Sequence, residues 1–446
     1  MQLFKHQLEA VDWSYKRRRM ILADDTGLGK TASAIAIAEN SPSPNPVLVV
    51  VPNLILAEKW AGEIEAWTGQ SPRMLLASTK PKELVAPPDR WNITTYSALN
   101  TAKRLEFFIA YFDQFDHVIF DEAHALKNAK AKRTRQWKTW CASAPRETLL
   151  MLTATPLTKS PEDLVSELNV LDALDDRPYT EVCDEFLSYI KIPTKHSYTR
   201  ICTGWKSEDA SLRFQQQYLS PLLLRRTKAD LEEPLPPMLK EDLYMDVTKN
   251  DLKSKTGAIL KQWRNPRDPE MAEAHAQLMA IGQLKAEGVA DFLADTVESD
   301  FGQRVVVFFK FRVAARALIE KLEKRPGIEV YAMMGDMPQE RRTKTVNEFL
   351  NSKHPAALVT SYAVSGVGID LVDCQRVVLA EADWSPAVIK QAIDRIYRIG
   401  QTKATLCQRV IAKLPEEARD APIEKRTEKL LARKYRMAEQ SGTGIV

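Results

Sequence analysis

The chain has 446 residues, 44% of them hydrophobic and 27% charged, enough for two or three domains with sizeable cores. Its 63 Lys and Arg nearly balance 59 Asp and Glu, for a formal net charge of +4, which excludes a binder that works by bulk positive charge; what matters is where the cations lie. No apolar run approaches the roughly 18 residues needed to span a bilayer, and five scattered cysteines without a Cys-x-x-Cys pair point to a reducing compartment and away from zinc.

In chain order, Phe4, Leu8 and Val11 come first at helical spacing and leave no room for a signal peptide, so a cytoplasmic location, in a bacterium or a virus-infected cell, is expected. The segment Asp24-Asp25-Thr26-Gly27-Leu28-Gly29-Lys30-Thr31 then leads into an Ala/Ile-rich helical stretch, Thr31 to Asn40. Glycines allow backbone N–H groups to turn inward on phosphates, and a helix N-terminus adds its positive dipole end. Lys30 is suited to the β- and γ-phosphates and the Thr31 hydroxyl to Mg²⁺; Asp24, Thr26, Gly27, Leu28 and Gly29 complete the candidate nucleotide cradle. Asp24 departs from the strict pattern, which has Gly there.

Strands are expected at 47–51, 91–95, 117–121 and 148–153, alternating with helical segments, which implies a parallel sheet with crossover helices. The third ends in Asp121-Glu122-Ala123-His124. A strand that delivers an Asp to the sheet edge is the Walker B arrangement: Asp121 is the second candidate Mg²⁺ ligand, and Glu122 is placed to aim or deprotonate water. A basic run follows, with Lys127, Lys130, Lys132, Arg133, Arg135 and Lys138; it reads equally as a phosphate grip or as a solvated helix face. The fourth strand runs into Thr153-Ala154-Thr155-Pro156, two hydroxyls that could sense a γ-phosphate.

Residues 157–300 carry Leu, Glu, Lys and Ala at helical periods, and are assigned to helical insertions because a loop of that length would be improbable. The run Glu232-Glu233-Pro234-Leu235-Pro236-Pro237 interrupts them and is the expected hinge. Strands at 304–309, 328–333, 356–361 and 376–381 repeat the α/β alternation. Four segments result: 1–156 as a first lobe, 157–300 as insertions, 301–412 as a second lobe and 413–446 as a charged helix and tail. Near the end, Gln391-Ala392-Ile393-Asp394-Arg395-Ile396-Tyr397-Arg398-Ile399-Gly400-Gln401 spaces Arg395 and Arg398 at i and i+3, so a helix would present both on one face, able to clamp developing phosphate charge.

The order of these motifs resembles that of superfamily-two helicase-like ATPases, and within them Swi/Snf-type double-stranded-DNA translocases, over nearly the whole chain. Lys127-Asn128, Leu224-Arg225-Arg226-Thr227-Lys228 and the ending Arg-Ile-Gly-Gln carry the narrower likeness, and Asp24-Asp25 with Asp383-Trp384-Ser385-Pro386 leans towards the fork-remodelling, strand-annealing branch. The resemblance implies two RecA-like lobes, with Gln7 reading adenine and Gly368 and Asp370 in a fifth motif near the nucleotide. It assigns coupling roles to Thr153, Thr155 and Gln391, and DNA contacts to Pro52, Asn53 (with Trp60 in the same motif), Thr95 and Ser361, beside Lys127, Lys130, Lys132 and Arg133. What it implies is a monomeric, ATP- and Mg²⁺-dependent motor on double-stranded DNA, forked duplex included, with no membrane role. A strand-separating DNA or RNA helicase and an ATP-gated nucleic-acid scaffold are the alternatives.

Overall fold

The structure, a computed structural model, describes residues 2–76, 79, 86–100, 111–143, 146–154, 160–193, 197–262, 269–296, 303–335, 337–365, 371–383 and 385–413. The described residues fall into two compact units, one ending at Pro234 and the other beginning at Leu235, inside the proline run.

In the first unit, β1 (Arg19–Leu22), β2 (Val47–Val51), β3 (Arg73–Leu75), β4 (Trp91–Thr95), β5 (His117–Asp121), β6 (Thr148–Leu152) and β9 (Leu223–Leu224) form one sheet in the order β3-β4-β2-β5-β6-β1-β9. All of its pairings are parallel. Every residue of β2 and β4 is buried, as a parallel strand covered on both faces requires. The helix Leu54–Thr68 starts at Asn53, whose side chain accepts the Leu56 N–H at 3.0 Å, and stops at Gly69 in the left-handed region.

Register settles where the chemistry lies. Leu22 pairs with Leu152, and Leu152 with Asp121, so β1, β6 and β5 end level with one another. The loop after β1 and the acid at the end of β5 therefore share one sheet edge, about 10 Å apart at two strand spacings.

The segment expected to be wholly helical is not. Helices Glu162–Val170, Tyr179–Phe186 and Glu208–Phe214 are joined by an antiparallel hairpin, β7 (Leu187–Pro193) with β8 (Tyr198–Trp205). Residues 223–224 join the first sheet, and β10 (Met238–Asp246) joins the second. The N-terminal helix Lys5–Ser14 buries His6, Gln7 and Ala10, while Phe4 at its N-cap and Leu8 are exposed.

The second unit orders its six strands β10-β15-β14-β11-β13-β12, with β11 (Arg304–Phe309), β12 (Glu329–Met333), β13 (Ala356–Ser361), β14 (Arg376–Leu379) and β15 (Thr405–Lys413), again all parallel. Val305, Val307, Phe309, Val359 and Val378 pack against Leu318, Leu322 and Val289 of the covering helices. Among the described residues no helix is long and apolar enough to cross a membrane. Burial pushes the Cys141 and Cys374 thiols up to about 12, which suits them to the core rather than to chemistry.

Just past β14, Glu381 is a buried carboxylate that accepts the N–H groups of Lys310 and Phe311, each at 2.9 Å, and lies against Gly282. Burial pushes it from 4.5 up to about 7, against the pull of those N–H groups and of Lys285 and Lys310. The folded state therefore holds this proton more tightly than the unfolded one, and the stability so gained is complete below pH 4.5 and lost as pH rises through about 7. Glu381→Gln keeps the acceptor oxygen and removes the titration. Its stability relative to the native chain, measured by denaturant unfolding, should rise by on the order of 3 kcal/mol between pH 4.5 and pH 8. A difference that stays flat across that range would show that Glu381 is not held protonated.

Candidate functional site

From β1 the chain turns through residues 23–29 into the helix Lys30–Glu39, with Gly27 at φ 87° and Gly29 at φ 77°, where L-residues are strained. A Cβ on Gly29 would also collide with the Gln7 amide. Lys30 Nζ donates to the carbonyls of Asp24 at 2.6 Å and Asp25 at 3.2 Å. Burial lowers its pKa, and the charges of Glu122, Asp24, Asp121 and Asp25 oppose that fall. Thr31, in the helix's first turn, is half-buried.

Gln7, expected to read adenine, lies directly beneath the phosphate loop. Only 3% exposed, it donates through Nε2 to the carbonyls of Leu28 (3.3 Å) and Gly29 (3.5 Å), and its Oε1 accepts the Phe4 N–H at 3.0 Å. Both ends of the amide meet backbone, so the residue braces the loop.

Asp24, a member of the candidate nucleotide loop, has a partner within the protein. Its carboxylate is 0% exposed and is taken by Arg226, whose Nε lies 3.0 Å and Nη2 2.5 Å away, with the Arg226 N–H a further donor at 3.0 Å. Arg225 pairs with Asp25 at 3.3 Å and donates to the Ala23 carbonyl at 3.0 Å. Two adjacent acids thus meet two adjacent arginines from some 200 residues on, carried in by β9 beside β1. The residue that stands where the strict pattern has glycine is thus paired with Arg226. The sequence held the signal in Arg225-Arg226, but nothing in it linked them to Asp24-Asp25.

Across the same edge stands Asp121. Trp60 Nε1 donates to its Oδ2 at 2.8 Å, the Glu122 N–H to its Oδ1 at 2.9 Å, and the Tyr96 hydroxyl to its carbonyl at 2.9 Å. Burial raises the Asp121 pKa, and the Glu122 charge raises it further. Glu122 adopts φ 49°, an unusual conformation for a side-chain-bearing residue, and its carboxylate lies 3.2 Å from His124 Nδ1. Thr153 is buried, its N–H donating to the Leu22 carbonyl at 3.2 Å, so it lies between the loop and the acid. Thr155, Gly368 and Asp370 lie outside the described residues, as do 414–446.

Trp60, grouped in the sequence with Pro52 and Asn53, is 1% exposed, and its indole positions Asp121. Trp60→Phe keeps the ring and deletes the donor. Titrating Mg²⁺ should show metal affinity or turnover falling about 10–100-fold, with metal-free nucleotide binding unchanged. An unaltered Mg²⁺ dependence would show that the hydrogen bond does not position the acid.

The DNA-contact candidates divide by accessibility. Lys130, Lys132 and Arg133 are exposed, while Lys127 and Pro52 are half-buried. The helix Lys132–Cys141 buries Thr134, Trp137, Trp140 and Cys141, leaving its cations on the outer face. Asn53 is occupied as a cap, and Thr95 and Ser361 are buried, the former sharing a 2.9 Å hydrogen bond with Ser97.

In the second unit the helix expected to carry both arginines ends too early. It spans Pro386–Ile393, with half-buried Gln391 on it, and Arg395 and Arg398 follow in consecutive turns. The Arg395 carbonyl accepts the Leu371 N–H at 3.1 Å. Gln401, not anticipated as structural, donates through Nε2 to the carbonyls of Val372 (2.8 Å), Cys374 (2.9 Å) and Ile396 (3.3 Å), fixing those turns.

Comparison with known proteins bears on this arrangement. Residues 6–285 match the family model of the SNF2-related domain, and residues 285–400 that of the helicase conserved C-terminal domain. A Drosophila melanogaster SWI/SNF-related matrix-associated actin-dependent regulator of chromatin subfamily A-like protein 1 is 26% identical over 92% of this chain and 53% of its own length. The Bos taurus DNA annealing helicase and endonuclease ZRANB3 is 26% identical over 92% of this chain and 38% of its own. An uncharacterized ATP-dependent helicase of Mycoplasma pneumoniae is 25% identical over 97% and 42% respectively. The chain thus spans about half, or less, of the length of these curated relatives. Among solved structures, the Sulfolobus solfataricus SWI2/SNF2 ATPase core in complex with dsDNA aligns over 99% of this chain and 94% of that one, at 20% identity and a TM-score of 0.46. With the family model covering well over half of its residues, the chain belongs to the SNF2-related family.

Proposed function

We propose that the chain is an ATP-dependent motor that moves along double-stranded DNA with little sequence preference and remodels DNA structures or protein–DNA complexes. The observation that carries this reading is the level sheet edge on which β1, β6 and β5 bring the Lys30 loop to Asp121 and Glu122, in a chain of the SNF2-related family.

ATP is the expected nucleotide. Gly27, Gly29 and the N-terminus of the helix Lys30–Glu39 receive its phosphates, with Lys30 offsetting their charge. The Thr31 hydroxyl and the Asp121 carboxylate are hard oxygen donors of the kind Mg²⁺ takes, alongside phosphate oxygens. The metal, when bound, neutralises phosphate charge; Asp121 holds its place through Trp60, and Glu122 orients and deprotonates the attacking water. Arg395 and Arg398 are assigned to the charge that builds on the γ-phosphate.

Exposed Lys130, Lys132 and Arg133 supply phosphate contacts without base readout, hence the low sequence preference. A forked duplex is expected to serve at least as well as a linear one, as the resemblance of Asp24-Asp25 and Asp383-Trp384-Ser385-Pro386 to the fork-remodelling branch implies. The protein is expected to work as a cytoplasmic monomer. Displacement of a third strand from a triplex tests the motor directly: ATP should release it at a rate that grows with shorter duplex track. Release independent of ATP hydrolysis would remove the reading.

A further inference from the structure

The ladder of β5 ends where the chemistry begins. Asp121 is the last residue of β5 to pair with β6, opposite Leu152, and Glu122 follows it at φ 49°. A residue with a side chain stays in that region only where its surroundings over-determine it. Its natural escape is a turning over of the peptide before it, which changes ψ of the first residue and φ of the second together, as between the two common turn types. Whatever keeps Glu122 in place must therefore grip the Asp121–Glu122 peptide.

Both ends of that peptide are gripped. Its N–H, that of Glu122, donates to Asp121 Oδ1 at 2.9 Å, and its carbonyl, that of Asp121, accepts the Tyr96 hydroxyl at 2.9 Å. The second grip comes from the residue that follows β4, reaching across β2 to the end of β5. Turning the peptide over would set its carbonyl against the Asp121 carboxylate and strip the phenol of its acceptor. Tyr96 is itself fixed on every side. It is buried, its N–H donates to the Val51 carbonyl at 3.0 Å, and its own carbonyl accepts Trp137 Nε1 at 3.1 Å. Its ring lies parallel to that of Phe120, 6.2 Å away, and meets Trp137 edge-on at 6.4 Å. Burial, with the Asp121 and Glu122 charges adding to it, pushes the phenol well above its ordinary pKa, so it keeps its proton and remains a donor.

The core needs only the ring, and phenylalanine would pack there as well. The hydroxyl is what reaches the peptide that sets the direction of Glu122. We propose that Tyr96 is a positioning residue for ATP hydrolysis, whose hydroxyl locks the Asp121–Glu122 peptide and so holds the Glu122 carboxylate where it takes a proton from the attacking water. This rests on the role given to Glu122 above. Trp60 and Tyr96 then divide the work, the indole holding the carboxylate of Asp121 and the phenol holding its backbone.

The test uses the full chain and the variant Tyr96→Phe, which deletes the hydroxyl and keeps the ring. Its kcat should fall by about 10–100-fold, the scale on which a small misplacement of a reacting group is felt. Affinity for a fluorescent ATP analogue, and the Mg²⁺ concentration that gives half-maximal turnover, should stay at native values. Because the hydroxyl acts through Glu122, adding Tyr96→Phe to Glu122→Gln should cost nothing further in single-turnover hydrolysis, where two independent residues would multiply their losses. Native kcat in Tyr96→Phe, a loss of nucleotide or Mg²⁺ affinity as large as the loss of kcat, or a second loss of the same factor on top of Glu122→Gln would each overturn the proposal and leave Tyr96 to the core. The two assignments fail separately. If Glu122→Gln is inactive and Tyr96→Phe is native, the base stands and its positioning by Tyr96 is lost. If Glu122→Gln turns over at the native rate, the base is lost and this proposal with it.

Discussion

Glu122→Gln should abolish ATP turnover while leaving ATP binding intact. The carboxylate stands one residue beyond Asp121, at the sheet edge that also holds the Lys30 loop, and the backbone there takes φ 49° to aim it. Gln preserves its size and hydrogen-bonding reach and removes only the capacity to take a proton. A positioned general base contributes about 10²–10⁴-fold, which sets the expected fall in kcat. Lys30→Ala should behave otherwise, since its ammonium answers phosphate charge in both the bound and the reacting state, so affinity and turnover fall together. Equilibrium binding of a fluorescent ATP analogue, beside steady-state hydrolysis, separates the two. An equal loss of binding and turnover in Glu122→Gln would contradict the role assigned to that residue.

Arg226→Met should destabilise the first unit by about 3–5 kcal/mol, the usual consequence of stranding one member of a buried ion pair. Asp24 is wholly buried, and Arg226 supplies all three donors described for its carboxylate. One of these is a backbone N–H, which Met retains, so the lost part is the guanidinium's charge, its two hydrogen bonds to Asp24 and the one it donates to the His6 carbonyl. The carbonyl of the same Asp24 receives Lys30 Nζ, so loosening this residue should also weaken ATP binding. Adding Asp24→Asn to the Arg226→Met background removes the stranded charge and should restore much of the lost stability, because a buried pair replaced together can be nearly neutral. Denaturant midpoints of the two single variants and the double variant give the coupling. Strict additivity would show that the pair does not act as a unit.

The motifs were legible because their residues are local. Lys30, Thr31, Asp121 and Glu122 each lie in a short segment whose strand-then-turn pattern shows in the apolar run before it, and β2, β4 and β5 appear at the residues expected, β2 as a continuous apolar stretch and β4 through its β-branched Ile93, Thr94 and Thr95. What stayed hidden depends on distant partners. β9 is two residues long and exists only beside β1. β10 carries Lys240, Glu241 and Asp242, reads as a solvated segment and is held at a sheet edge by β15 some 167 residues on, with Arg409 and Asp242 joined by hydrogen bonds at 2.8 and 2.9 Å. Asp24 looked like a flaw in a phosphate loop until Arg226 was beside it. Helical spacing at Phe4, Leu8 and Val11 falls on a helix, with Gln7 and His6 beneath the loop. At the other end of the chain it misled. Arg395 and Arg398 keep i,i+3 spacing after the helix has ended at Ile393.

Stimulation of steady-state ATP hydrolysis by four nucleic acids, at one fixed low salt concentration, tests the central claim most directly. Double-stranded DNA should accelerate turnover strongly, forked DNA at least as well, and single-stranded DNA and RNA little. Acceleration by single strands or RNA alone, or the same rate with all four, would contradict a motor that moves on duplex DNA.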